Sequence, residues 1–347
     1  MSFAVEIQWI AVMVAVSCSI LGCFLVLRRM SMMSDSITHT ILLGIVLAFF
    51  VTRDLGSPLL IIGAAFMGVL TVWLIELLQK TRLVAADSAI GVVFPLLFSL
   101  AIIMISRYMS HLHLHTDTVL LGELTFAPFD RLIVGGRDFG ARFLYTSGAM
   151  LLVNIGAVAL FYKELKLISF DPVAATVLGL SLHVIHYGLM TLVSLTTVVA
   201  FEAVGAILVV AFMVGPPSAA YLLTKSLGKM LLLSGLFGGI SGVAGFHLAV
   251  WLDVSIAGSM AVVVGAIFLV VFVASPSEGL LVNLHRKSRQ RRAFSEMALL
   301  LQVSKYPGAV TGQKLKGLRL LGLVDGQGRA TAAGLRAIQT FESDLEY

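Results

Sequence analysis

Nine stretches of this 347-residue chain are apolar over lengths that approach or exceed what a bilayer crossing needs, and this decides what the rest can fold into. A spanning helix takes about 20 consecutive, mostly apolar residues. The runs lie near 8–27, 37–51, 58–78, 89–106, 143–161, 176–200, 203–223, 230–250 and 256–275, the second being the shortest. Hydrocarbon offers the backbone no hydrogen-bond partner, so each run is expected to satisfy its own amides as a helix. Composition agrees: 59% of residues are hydrophobic and 12% charged, where soluble domains carry about a quarter charged. A mean hydropathy of +0.99 excludes a soluble enzyme, a fibrous protein and a disordered chain. The expected fold is therefore an all-α integral membrane protein, a polytopic bundle of eight to nine transmembrane helices.

Glu6 precedes the first run and Arg28-Arg29 follows it, the reverse of a signal peptide, so this run is expected to be a retained span. Cys18 and Cys23 both lie inside it, which rules out a disulfide framework and a Cys-rich zinc module. Threading nine spans from an outside N-terminus puts 13 basic residues in the cytoplasm, among them Arg28, Arg29, Lys80, Arg82 and the run from Arg286 to Arg292. Five remain outside, Arg53, Arg107, Arg131, Arg137 and Arg142. The imbalance follows the positive-inside rule and places the C-terminus in the cytoplasm, although a re-entrant piece between Arg131 and Arg142 would alter the local assignment.

In the eighth run Gly235 and Gly239, and Gly238 and Gly242, recur at four-residue spacing, which lets a second helix approach closely. Gly215-Pro216-Pro217 removes backbone donors and is expected to break or kink the seventh helix. Such a break is tolerated only against protein or a wet cavity, so Gly215 and Pro216 are candidates for lining a pathway.

Asp35 and His39 stand four residues apart, on one face of a helix. Left unpaired in hydrocarbon they would be costly. A divalent cation satisfies both, because carboxylate oxygen and neutral imidazole nitrogen suit manganese, iron(II) and zinc; an Asp-His hydrogen bond that only fixes packing is the alternative. His183, His186, Glu202, His247 and Asp253 are further ionisable residues in or beside the spans, and no spacing singles one out as an added ligand. Glu202 is kept as a pathway candidate. His111, His113 and His115, with Asp117, alternate along the outer segment and would share one side of an extended strand. They are candidates for collecting metal at an entrance, against the plainer reading of a solvated loop.

Lys163 and Glu164 leave the fifth run, and Phe170-Asp171-Pro172 follows. Asp at a cap with Pro at the first helical position starts a helix, here a short cytoplasmic one between two spans, which an attached motor could push. The chain contains no G-x-x-x-x-G-K-[ST] phosphate loop. It is thus not expected to be an ATPase, and energy has to come from a partner or a gradient.

Four stretches together resemble the membrane permeases of bacterial ATP-binding-cassette importers for manganese, iron and zinc. They are Leu27-Arg28-Arg29-Met30 leading to Asp35, His39 and Gly44; Asp117 to Arg131 with Leu121-Gly122-Glu123-Leu124 and Ala127-Pro128-Phe129-Asp130; Lys163-Glu164-Leu165 to Phe170-Asp171-Pro172; and Val204-Gly205-Ala206 through Pro216 to Ala220. The resemblance spans about residues 1 to 275. It implies a permease subunit that moves a divalent metal, manganese first and then iron or zinc, by alternating access across the bacterial inner membrane. No permanently bound cofactor is implied, the metal being substrate. It also implies Asp35 and His39 as the metal pair, and the Lys163, Glu164, Phe170, Asp171, Pro172 region as the contact with a cytoplasmic ATPase dimer. The further partners it implies are a second permease, identical or homologous, and an extracytoplasmic metal-binding protein. Two rivals are a gradient-driven secondary carrier and a membrane-bound metal sensor with a DNA-binding tail.

The expected domains are a transmembrane permease unit over 1–275, a basic juxtamembrane linker over 276–292, which membrane lipid would attract, and a cytoplasmic unit over 293–347. In the last, Ser295 to Ser304 is helical in pattern, Tyr306-Pro307-Gly308 is a turn, Thr311 caps a helix to Leu321, Gly322 to Gly326 reads as strand and turn, and Thr331 caps a final helix. This order resembles a small winged helix. From residue 293 onward six Lys and Arg face five Asp and Glu, a poor footprint for nucleic acid. A regulatory or docking module for the ATPase is the expectation.

Overall fold

The structure, a computed structural model, describes residues 3–54, 57–108, 124–125, 127–134, 137–275, 279–280, 282, 295, 297–305, 318–319, 322–325 and 329–345. Two compact units divide at 272/273. Among the described residues of the first, nine helices are long and apolar enough to cross a membrane. They are α1 (Phe3–Leu27), α2 (Ser31–Thr52), α3 (Pro58–Lys80), α4 (Ala86–Tyr108), α5 (Arg142–Leu160), α8 (Leu182–Val204), α9 (Ala206–Leu223), α10 (Leu227–Leu252) and α11 (Ile256–Ala274), with short α6 (Tyr162–Phe170) and α7 (Pro172–Val177) between α5 and α8. The expected 111–117 entrance histidines and the basic run 286–292 lie outside the described residues.

Helix ends follow local chemistry. Ser57 caps α3 by accepting from the Leu59 N–H, with Pro58 at the first helical position. Two expected boundaries move. The second helix starts at Ser31 rather than 37, because the turn Arg28 to Met30 closes tightly after α1. The sixth span starts at Leu182 rather than 176, because Pro172–Val177 forms its own helix and Gly179, at φ +80°, turns the chain before the span begins.

Buried α1 is the hub, packed against α5, α8, α9 and α10, while α2 packs between α3 and α4. Hydroxyl and amide groups knit the bundle. Asn154 on α5 donates to Ser17 on α1 at 2.7 Å and to Thr196 on α8 at 2.8 Å. Thr71 on α3 donates to Thr40 on α2 at 2.8 Å. The expected close approach at the α10 glycines is present, since a Cβ on Gly238 would lie 2.6 Å from Ser19 Oγ on α1.

Of the break or kink expected at Gly215-Pro216-Pro217, the break does not occur: α9 runs through to Leu223 with both prolines inside and buried. Pro216 cannot donate to the Phe212 carbonyl one turn back, and the Ser19 hydroxyl of α1 donates there instead, at 3.3 Å. Pro217 likewise leaves the Met213 carbonyl without its helical donor. That oxygen lies against Gly22 of α1, where an added Cβ would sit 2.0 Å away. At Phe212 the bundle thus replaces the donor that proline removes.

Between α4 and α5 an antiparallel hairpin, β1 (Arg131–Val134) with β2 (Arg137–Ala141), stands where a re-entrant piece was considered. Arg131 ties it together, donating to Asp138 through Nε at 2.9 Å and Nη2 at 2.6 Å, and to Glu6 of α1 at 3.2 Å.

The second unit has its own small core of Leu300, Val303, Leu318, Val324 and Ile338. Residues 297–305 are helical, Val324 and Ala330 form an antiparallel bridge, and α12 (Ala332–Leu345) follows. Thr331 caps α12 by accepting from the Gly334 N–H at 3.2 Å. The expected turn at 306–308 and most of the helix from Thr311 lie outside the described residues, so a winged helix is not established.

Candidate functional site

Starting α2 at Ser31 puts Asp35 and His39 about 6 and 12 Å along a helix of about 33 Å. They therefore lie on its second and third turns, rather than at the very edge that a start at 37 implied. His39 Nε2 stands 3.5 Å from Asp35 Oδ1. The imidazole is oriented by α4: its ring centre lies 5.3 Å from that of Phe94 and 5.5 Å from that of Phe98. Its Nδ1 is buried without a hydrogen-bond partner. The Asp35 side chain keeps 39% of its surface uncovered and that of His39 22%. The pair is thus held by neighbours on one side and open on the other, with ligand atoms that are not consumed by internal bonds.

None of the other ionisable residues among those described joins this pair. Among the described residues no three His, Cys, Asp or Glu converge on one metal position. His186 instead pairs with Glu76 of α3, Nε2 to Oε1 at 2.5 Å, and the neighbouring Tyr187 hydroxyl donates to Glu76 Oε2 at 2.8 Å. His247 lies against Gln8, Nε2 to Nε2 at 3.4 Å. Glu202 is in electrostatic reach of Arg142 and Asp130 near the hairpin, and Asp253 ends α10 in the left-handed conformation. Of the pathway candidates, Gly215 packs against Val264 of α11 and Pro216 is buried in helix packing.

At the opposite end of the bundle from the hairpin, a cavity of about 540 Å³ reaches the surface beside Arg28, Arg29 and Lys80. Glu76, Asp87, His183 and His186 share its wall. Burial pulls the Arg28 guanidinium below its ordinary value, and Glu76 acts in the other direction. Sequence reasoning passed over Glu76 altogether. It sits inside an apolar helix, where the sequence offers only Lys80 one turn on, and the packing of α3 on α8 reveals its closer partners.

Next to this cavity, α6 and α7 meet at Asp171, whose Oδ1 accepts from the Ala174 N–H at 2.9 Å, with Pro172 at the first helical position as the sequence implied. Lys163 and Glu164 lie in the first turn of α6, with Lys163 exposed. Phe170, Val173, Val177 and Leu178 expose 53%, 73%, 82% and 70% of their surfaces outside any spanning helix.

The chain matches the ABC 3 transport family over residues 1–275. It belongs to that family. The manganese transport system membrane protein MntD of Bacillus subtilis is 45% identical over 283 residues, 82% of this chain and 96% of the relative. The zinc transport system membrane protein TroD of Treponema pallidum is 47% identical over 274 residues, 79% of this chain and 74% of the relative. Among solved structures, PsaBC from Streptococcus pneumoniae in complex with Fab superposes with a TM-score of 0.67 at 28% identity, covering 80% of this chain and 94% of that one. The family match ends at 275, so the second unit lies beyond it. The first unit is an ABC 3 membrane component, a multi-pass helical protein.

Proposed function

We propose that this ABC 3 family member is the permease subunit of an ATP-driven importer that moves a divalent metal across the bacterial inner membrane, with ATP hydrolysis on a separate subunit. The observation that carries the reading is the half-open Asp35–His39 pair, set inside a spanning helix with its imidazole oriented and its Nδ1 free of other bonds. Manganese comes first and iron or zinc after it, in line with relatives named for manganese and zinc transport.

Two ligands do not complete a shell for any of these ions, and a carboxylate left facing lipid is costly. Both problems have one solution, a second permease whose own α2 covers the open side and brings a second pair. Alternating access then requires the cytoplasmic end to move. The apolar surface of Phe170, Val173, Val177 and Leu178 on the rigid, capped turn at Asp171-Pro172 is a fitting seat for an ATPase groove, with Lys163 and Glu164 beside it. The hairpin end would receive the ion from an extracytoplasmic metal-binding protein. The helix, bridge and helix of the second unit agree with a winged-helix-like module that docks or regulates the ATPase on the cytoplasmic side.

Asp35→Ala and His39→Ala are expected to abolish manganese uptake in cells or in reconstituted vesicles while the complex still assembles. Wild-type uptake in both variants would remove the site assignment.

A further inference from the structure

We propose that Glu76 and His186 form a second divalent-cation site, in the wall of the cavity that Met32 and Met33 of α2 also line, which takes the ion from the Asp35–His39 pair on its way out to the cytoplasm. This rests on the import reading above.

His186 is buried and its Nε2 lies against Glu76 Oε1, yet neither ring nitrogen makes a hydrogen bond. A histidine recruited only to anchor a carboxylate ordinarily has its second nitrogen satisfied by a carbonyl or a water-accessible donor. Here the ring forms part of a cavity wall rather than of a packed core. Tyr187 fixes Glu76 through Oε2 and so leaves Oε1, which faces His186 Nε2, as the ligand atom. A cation with metal–ligand distances of about 2.1 Å would hold an oxygen and a nitrogen roughly 3 Å apart. The pair needs to open by about 0.5 Å from its 2.5 Å contact to admit one. Empty, the two groups lie in close contact without a well-aligned hydrogen bond between them; loaded, each turns to the ion.

The remaining coordination positions fall to water. A cavity of about 540 Å³ holds several molecules, and Asp87 and His183 on the same wall can hydrogen-bond them. Continuity with the first pair is provided by two helices. Met32 and Met33, in the turn of α2 before Asp35, line the cavity, and so does Ile90, one turn before the Phe94 that orients His39. Arg28, Arg29 and Lys80 on the rim raise the local positive potential and keep the ion weakly held. An exit site has to be weak, since a pathway needs binding favourable enough to enter and loose enough to leave.

The test uses the full chain in lipid nanodiscs, with Mn2+ alone as probe and pulsed electron paramagnetic resonance to detect nitrogen coupling to the bound ion. In the Asp35→Ala/His39→Ala chain, Mn2+ is expected to bind with a histidine nitrogen coupling. Adding His186→Gln is expected to remove that coupling and weaken binding at least tenfold, whereas His183→Gln retains it. Glu76→Gln, which keeps the oxygen that accepts from Tyr187, is expected to weaken binding as well and serves if His186→Gln does not fold. No nitrogen coupling in the Asp35→Ala/His39→Ala chain, a coupling that persists with His186→Gln, or undiminished affinity with Glu76→Gln overturns the second site. The import reading fails separately, by undiminished uptake in Asp35→Ala and His39→Ala.

Discussion

A single arginine holds the hairpin end of the molecule. Arg131 joins Asp138 on the next strand to Glu6, whose side chain is almost wholly covered inside α1, so the charge that Glu6 carries into the bundle is answered by a residue 125 positions later. Asp138 is held below the usual carboxylate range, first by its bond from Arg131 and then by the Gly140 N–H. A depressed carboxylate contributes stability that is present above its unfolded value of about 3.9 and is lost as pH falls through the lower folded value. Protection factors of the hairpin amides, that is exchange relative to the intrinsic rate at each pH, are therefore expected to stay constant down to about pH 4 and to fall below it. The fall is expected to vanish in Asp138→Asn, whose protection should already be lower at neutral pH. Because both partners are solvent-accessible, the effect should be confined to the hairpin.

Elements meet where side chains are smallest, and there the cost of change depends on what the added atoms would strike. Gly22 faces a backbone carbonyl, Met213 O, which cannot swing aside as a flexible side chain would. Gly22→Leu is expected to separate α1 from α9 and cost about 3 kcal/mol or more, at the upper end of overpacking. Ser19→Ala leaves the helix path intact but withdraws the donor that serves Phe212 O in place of Pro216. Its expected cost is about 1 kcal/mol, as for interhelical hydrogen bonds in membranes. Denaturation of the detergent-solubilised chain distinguishes the two, and equal effects would contradict the different roles assigned to these neighbours.

At the scale of the whole molecule, two units with separate cores predict separable folding. The small core around Leu300, Val324 and Ile338 draws on no residue of the membrane bundle. A chain ending at residue 292 is accordingly expected to insert and to unfold at the same temperature as the full chain in its membrane transition. A drop of more than a few degrees would show that the second unit braces the first. The isolated 286–347 fragment, near-neutral beyond its basic start, is expected to leave DNA unprotected in footprinting.

Spans could be read from the sequence because hydrocarbon accepts only long apolar helices, and that constraint is local. The Asp35–His39 pair was legible for a similar reason: four residues of helix bring the two side chains onto one face whatever surrounds them. The Asp171 cap and the Thr331 cap are likewise properties of a few adjacent residues. Tertiary structure decided the rest. Whether a proline pair breaks a helix depends on Ser19, nearly 200 residues away, and whether Glu6 or Glu76 is tolerable depends on Arg131 arriving from the hairpin and on His186 and Tyr187 arriving from another helix. Buried polar groups are settled by partners distant in the chain, and only the packed bundle says which ones they meet.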